Sequence, residues 1–354
     1  MIDVVVAGGG PAGLAAAIRG ARRGFRVVLF ERQGGTIAPD KACGEGLMPS
    51  GARQLAALGV EPGESAPFRG IRYLQEDGSI AEARFSRGDG IGIRRTVLAQ
   101  ALIDRARDCG VDLRRGTVKA ARPRGHRIEI DVAPGGLLDA RLLIAADGLH
   151  SPLRREAGLH VESGGPSRYG IRRHYAVAPW TDFVEVHWSP GVEAYVTPVG
   201  PKTVNVALLC EGGGEFEDLM SRFPRLRERL AGALAASETR GAGPLLQRAK
   251  RRHAHRLALV GDAAGYVDAI TGQGLSLAFE AASLLFDALP PDLAGDLQSS
   301  LRRYDRHVGA KWPRYALPAH ALVALSRRPS LRRAAIRSVA RIPGAFAALV
   351  GAIG

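Results

Sequence analysis

Apolar residues near the N terminus come in short unbroken runs rather than in alternation. Asp3 to Ala7 and Arg26 to Glu31 (RVVLFE) flank the alanine-rich stretch Pro11 to Arg23. A strand apolar on both faces must be covered on both sides, so this strand, helix and strand predict a βαβ opening in a parallel sheet. A glycine- and proline-punctuated stretch from Gly34 to Gly51 follows, then a short helix to about Leu58. IRYLQ and IAEARF, joined around Asp77-Gly78, predict a hairpin. A helix over Arg95 to Asp108 leads into strand Val111 to Arg114, hairpin material to Val132 and a buried strand, Leu142 to Ala146. From Tyr169 to Leu209 the pattern changes to alternation, predicting about four antiparallel strands around Ile171, Val184, Tyr195 and Val206. A helical region over Glu215 to Ala236, a strand at Leu257 to Val260 and helix from Gly274 onward complete the reading. The two kinds of sheet interleave along the chain, so the second domain is inserted rather than appended.

Composition narrows the classes. The chain has 354 residues, 46% hydrophobic and 24% charged, which suits a large packed core and excludes disorder as the main state. No segment recurs at a fixed period. Cys43, Cys109 and Cys210 are few, odd in number and widely spaced, which argues against a disulfide scaffold or a zinc site and for a reducing compartment. The opening Met1-Ile2-Asp3 runs into a strand without the basic and apolar segments of an export signal, so a cytoplasmic setting is expected. The apolar stretch Gly344 to Gly354 is shorter than the roughly 18 residues of a membrane span.

The net charge is +14, and its placement matters more than its size. From Leu301 onward eleven basic residues face the single acid Asp305. Arg333, Arg337 and Arg341 recur on one side of a helix whose other side carries Leu331, Ala335, Val339 and Ile342. Two readings are open: peripheral contact with an anionic membrane at its inner face, or a solvated arginine face on a helix packed against the core, the latter preferred because the apolar side lacks an aromatic anchor. Nucleic acid is not expected, because no recognition motif or interleaved aromatics accompany the charge.

The chemistry begins at Gly8-x-Gly10-x-x-Gly13, between the first strand and a helix opening at Pro11 and Ala12. Gly8 permits the tight turn, Gly10 lets a pyrophosphate approach the backbone, and Gly13 lets helix and strand pack closely. Glu31, followed by Arg32, ends the second strand 18 residues after Gly13, where a carboxylate can hold an adenosine ribose. A dinucleotide site follows, and the acid favours FAD or NAD over NADP. Two further segments, Ala145-Ala146-Asp147-Gly148-Leu149-His150-Ser151-Pro152-Leu153-Arg154 and Leu257 to Gly265 with Gly261-Asp262, each follow a buried strand and bear on the choice between those cofactors. Asp262 after a strand can hold hydroxyls, and the helix opening at Thr271-Gly272-Gln273-Gly274-Leu275 offers free backbone N–H groups to an anionic ring. Taken singly, Asp262 is also an ordinary helix cap and Asp147 a turn acid.

These segments, with Arg95 in Arg94-Arg95-Thr96-Val97-Leu98, resemble the flavoprotein hydroxylases of the para-hydroxybenzoate hydroxylase-like superfamily over residues 1 to about 290. Gly265, Thr271 and the loop Lys41-Ala42-Cys43-Gly44-Glu45-Gly46-Leu47-Met48-Pro49 are more similar to the geranylgeranyl reductase-related branch. The resemblance implies an α/β fold: a Rossmann-type FAD-binding domain (1–70, 91–165 and 250–290), an antiparallel-sheet substrate domain (71–90 and 166–249) and a helical basic C-terminal region (291–354). It further implies that Asp262 holds the ribityl chain, Arg95 lies near the phosphates, and Asp147 and Gly148 contact the cofactor. Cys43 and Gly44 would lie beside the flavin ring, with Cys43 either tuning it or relaying a proton, or simply packing as a small thiol. Ala194-Tyr195-Val196-Thr197-Pro198 departs both from the Trp-x-Trp-x-Ile-Pro of flavin-dependent halogenases and from the Tyr-x-Trp-x-Phe-Pro of archaeal geranylgeranyl reductases.

From the inserted sheet, Tyr195 and Trp188 are the candidates to line a pocket for a small lipophilic substrate. The expected activity is FAD-dependent oxidoreduction. Hydroxylation of a lipophilic aromatic or polyketide-like substrate with NAD(P)H and O2 is preferred over reduction of a carbon–carbon double bond, with a flavin-binding membrane-surface protein as the non-enzymatic alternative. A single dinucleotide fingerprint implies that NAD(P)H binds transiently or that a separate reductase supplies electrons. No metal site is expected.

Overall fold

The computed structural model describes residues 1–34, 40–162, 164 and 167–340. Arg341, Ile342 and the terminal apolar stretch lie outside the described residues, as does the side chain of Val339. The opening unit is strand Ile2–Ala7, helix Pro11–Arg22 and strand Val27–Glu31. Its apolar runs have the predicted cause: Val4 and Val6 pack into one cluster with the helices, and Val5 and Ala7 into another on the opposite face. The parallel core of the sheet places Ile2–Ala7 between Gly136–Ala145 and Val27–Glu31, with Leu257–Leu259 and Asp112–Arg115 outside them. The strand ends of this core converge on Gly8, Asp147 and Asp262, so three motifs far apart in sequence share one edge.

A second sheet runs in the order 234–235, 168–176, 203–211, 192–200, 183–189, 70–74, 80–84, antiparallel throughout except where Phe183–Ser189 meets Gly70–Leu74. Its two faces differ in chemistry. Val192, Ala194, Val196, Val204, Val206, Leu208 and Cys210 bury one face against the short helices Phe216–Met220 and Pro224–Arg229. The alternate positions Arg172, His174, Glu193, Thr197 and Asn205 are buried too, yet they are polar. A buried polar face needs partners, and it finds them in the nucleotide-binding domain.

Two sequence expectations are corrected. Glu215 to Ala236 is not one helical region: Pro224 and Gly232 divide it, and Leu234–Ala235 pairs as a strand with Tyr175 and Ala176. The terminal helix Pro329–Ala340 does not dock by Leu331 and Ala335. Leu331 is 51% exposed, whereas Arg332 is fully buried and Ile336 nearly so. Arg332 donates to Gln75 Oε1 at 3.1 Å and to Glu76 Oε1 at 2.8 Å, and its guanidinium lies 5.1 Å from the Trp188 ring centroid. Arg337 pairs with Asp77 at 2.6 Å. Specific ion pairs override the amphipathic pattern here, and two arginines of the basic stretch hold the helix to the hairpin. Among the described residues no helix is long and apolar enough to cross a membrane.

Candidate flavin site

The glycine turn is enforced by contact. A side chain at Gly13 would begin 1.9 Å from the Gly8 carbonyl oxygen, and one at Gly8, where φ is +109°, 2.4 Å from that of Ala146. The first strand, first helix and Asp147 turn therefore close only with glycine at both positions. Pro11 stands at the first helical position and Ala12 behind it. Glu31 Oε2 accepts the Gly9 N–H at 2.7 Å, which fixes the carboxylate at the turn, while Arg32 is exposed beyond it.

Arg95 opens the helix Arg95–Asp108, its backbone N–H donating to Glu45 Oε1 at 2.7 Å. Its Nη2 reaches within 3.5 Å of where a Gly10 side chain would begin, and its Nε is buried without a partner among the described residues. Across the cleft Asp262 sits in the 3-10 turn Gly261–Ala264. Burial pushes its carboxyl above the usual range, opposed by Arg95, Lys41 and Arg154. Burial lowers the Lys41 ammonium, and the like charge of Arg95 adds to the effect. Gly272, Gln273, Gly274 and Leu275 lead into helix Gly274–Ala288, and the Thr271 hydroxyl is a second buried polar atom without a partner among the described residues.

Asp147 has a task within the protein. Its oxygens accept the Ser151 hydroxyl at 2.5 Å and the Leu153 N–H at 3.1 Å, organising the turn that carries Gly148 at φ +90°. Burial raises this carboxyl against those two hydrogen bonds. The same turn aims Arg154, fully buried, at the Asp262 and Ala263 carbonyls (3.2 and 3.1 Å) and at Gln247 Oε1 (2.7 Å), so one guanidinium ties the second motif to the third.

Cys43 and Gly44 occupy a loop beside Arg95. Burial pushes the Cys43 thiol above its usual range; Arg95 pulls it down and Glu45 raises it further. The loop is gripped from the polar face of the second sheet. Asp40 pairs with Arg172, the Cys43 carbonyl accepts from Asn205 Nδ2 at 2.9 Å, and Glu45 Oε2 lies 2.6 Å from His174 Nε2. Arg172, Asn205, Asp40 and the role of Glu45 were not anticipated. The available signal was arginine and histidine at i and i+2 in the strand Arg168–Ala176, on the face that alternation makes inward.

Trp188 lies in the core, edge-on to Tyr73 at 5.7 Å and under Arg332. Tyr195 is partly buried where two apolar clusters meet, its hydroxyl donating to the Ile270 carbonyl at 3.2 Å. Among the described residues no cluster of three or more His, Cys, Asp or Glu could hold a metal ion.

The glycine cradle, Glu31 bonded to its turn, and the Arg95 Nε and Thr271 hydroxyl without partners among the described residues fit FAD, and together they define an FAD-binding flavoprotein of the para-hydroxybenzoate hydroxylase-like class. Residues 1–189 match the FAD binding domain family. The chain is 30% identical over 300 residues to digeranylgeranylglycerophospholipid reductase 2 of Methanopyrus kandleri, covering 77% of this chain and 73% of that protein, and it belongs to this family. It is 27% identical over 312 residues to menaquinone reductase of Mycobacterium tuberculosis, covering 81% and 76%. A flavoprotein/dehydrogenase from Cytophaga hutchinsonii shares the fold with a TM-score of 0.86 at 21% identity, covering 99% and 92%. PqsL of Pseudomonas aeruginosa, described as a probable FAD-dependent monooxygenase, is similar with a TM-score of 0.78 at 25% identity, covering 95% and 99%. The protein is an FAD-dependent oxidoreductase by family.

Proposed function

We propose that this oxidoreductase reduces a carbon–carbon double bond in an isoprenoid-like lipophile. The observation that carries the reading is the Cys43 thiol, partly buried on the loop beside Arg95, where burial raises it above its usual range. Reduction of an alkene needs a hydride equivalent at one carbon and a proton at the other, and a thiol that is protonated at neutral pH can supply that proton from a fixed point and be reprotonated from solvent. Bound FAD supplies the two-electron chemistry. In this reading Gly8, Gly10, Gly13 and Glu31 hold the nucleotide end, Arg95 neutralises the phosphates, and Asp262 with Thr271 orients the ribityl chain. Tyr195 and the apolar residues around it exclude water from the reacting face. The likeness to the Methanopyrus and Mycobacterium reductases supports reduction and outweighs the motif-based preference for hydroxylation.

Monooxygenation of a lipophilic substrate is kept as the second reading because the likeness to PqsL extends over nearly both chains at 25% identity. The two separate cleanly. The holoprotein is reduced under anaerobic conditions and mixed with detergent-dispersed geranylgeraniol. Stoichiometric recovery of oxidised flavin absorbance together with a product two mass units heavier supports reduction. Reoxidation only on admission of O2, with an oxygen atom gained by the product, overturns it. Repeating the reduction with NADH, NADPH and a ferredoxin-type reductase identifies the electron donor.

A further inference from the structure

Strands Arg168–Ala176 and Thr203–Glu211 place His174 directly opposite Asn205, and Asn205 in turn opposes Thr197 on Val192–Gly200. His174 and Asn205 are fully buried and point toward the nucleotide-binding domain. Together with Arg172, one position-pair earlier on the same face, they hold three points of one short loop: Asp40, the Cys43 carbonyl and the Glu45 carboxylate.

The imidazole has a defined orientation in this grip. Its Nε2 lies 2.6 Å from the Glu45 carboxylate, which accepts, so Nε2 carries the proton given to Glu45, while Nδ1 lies 2.8 Å from Ser237 Oγ. Glu45 itself stands at φ +60°, a conformation a glutamate adopts only when its surroundings impose it. Its carboxylate bridges His174 to the Arg95 N–H, and its own N–H points at Cys43 Sγ at 3.4 Å. The same sheet face also holds the other flavin-side loop. Arg168, paired with Glu193 at 2.6 Å, donates to Asp268 Oδ2 at 2.9 Å, and Tyr195 donates to the Ile270 carbonyl.

We infer that the polar face of the inserted sheet sets the spacing between the two flavin-side loops, and that His174 is the positioning residue that holds the Cys43 loop closed through Glu45. The inference does not require the reaction to be alkene reduction, because it concerns the loop and not the substrate.

The imidazole offers a direct test, since its two nitrogens can be mimicked separately. Glutamine places an amide where Nε2 lies and keeps the donor to Glu45; asparagine places one near Nδ1 and keeps only the Ser237 side. Alkylation of Cys43 by iodoacetamide is followed in the FAD-loaded full chain by peptide-resolved mass spectrometry, which reads Cys43 apart from Cys109 and Cys210. His174→Asn raises the Cys43 rate about tenfold, because one buried charge-assisted hydrogen bond no longer opposes loop opening, whereas His174→Gln stays within about twofold of the parent. Equal rates in the two variants, at melting temperatures that match each other, overturn the inference. If His174→Asn does not fold, Asn205→Ala carries the test: faster alkylation confined to Cys43 supports the grip, and an unchanged rate overturns it. No substrate enters the assay, so its failure is distinct from failure of the reductase reading.

Discussion

The two walls of the flavin cleft are built by opposite means. On the nucleotide side the residues are close in sequence, small, and act through backbone: Gly8 and Gly13 serve by lacking side chains. On the side of the Cys43 loop the residues come from strands more than a hundred positions from the loop they hold, and Arg172, His174 and Asn205 act through buried polar side chains. The first wall has no room for an added atom at Gly8 or Gly13. The second holds by pairing, because a buried polar group that loses its partner costs more than the bond it lost.

The difference is sharpest at Gly13. Gly13→Val forces a side chain into the Gly8 carbonyl, and no rotamer relieves a clash that starts at Cβ. The expected result is loss of bound FAD and of a folded nucleotide domain, read as colourless protein and aggregation on expression. Next in size is Arg154→Leu. The substitution leaves the Asp262 and Ala263 carbonyls and Gln247 facing an apolar side chain in a fully buried site, and destabilises by about 3–5 kcal/mol in denaturant unfolding. Asp262→Ala is milder for the fold and specific for the ligand: FAD affinity falls about 100-fold, equivalent to about 2.7 kcal/mol, measured by fluorescence titration of the apoprotein. A variant that keeps its FAD through purification and dilution would contradict the role of Asp262.

The same contrast explains what could be read in advance. The βαβ opening, the helix Arg95–Asp108 and the four strands of the inserted sheet were legible because apolar periodicity reports burial directly, and the glycine fingerprint because its spacing is local. The grip on the Cys43 loop was not. Alternation places Arg172 and His174 on one face of their strand but does not say what that face meets, and only cross-strand register brings His174 beside Asn205. The terminal helix failed for the same reason. Its alanines and Leu331 suggested an apolar docking face, but the partner surface offers Gln75, Glu76 and the Trp188 ring, so the helix turns its arginine inward. Arg332→Ala should therefore cost about 2–3 kcal/mol through lost charged hydrogen bonds, and neighbouring Arg333→Ala, on an exposed position, less than about 0.5 kcal/mol. Equal losses would return the helix to a generic amphipathic contact.

The smallest effect tests the wall at the Cys43 loop through its charge. Burial raises the Cys43 thiol above its ordinary value, with Arg95 opposing and Glu45 reinforcing. The thiolate is the reactive form, so alkylation of Cys43 should rise with pH to a midpoint above the ordinary thiol value of about 8.5. The sign for stability follows: a folded-state value above the unfolded one favours the native protein at low pH. That contribution is lost as pH climbs from the ordinary thiol value through the raised one. Glu45→Gln removes the reinforcing charge, and its single amide oxygen can accept only one of the two donors, Arg95 N–H and His174 Nε2–H, that the carboxylate accepts. The Cys43 alkylation rate should then rise at every pH, and the midpoint should also fall by less than about one pH unit. A fall in the midpoint on top of the uniform rise would show that Glu45 acts on Cys43 electrostatically as well as by holding the loop. An unchanged rate at low pH would contradict the hold of Glu45 on the loop.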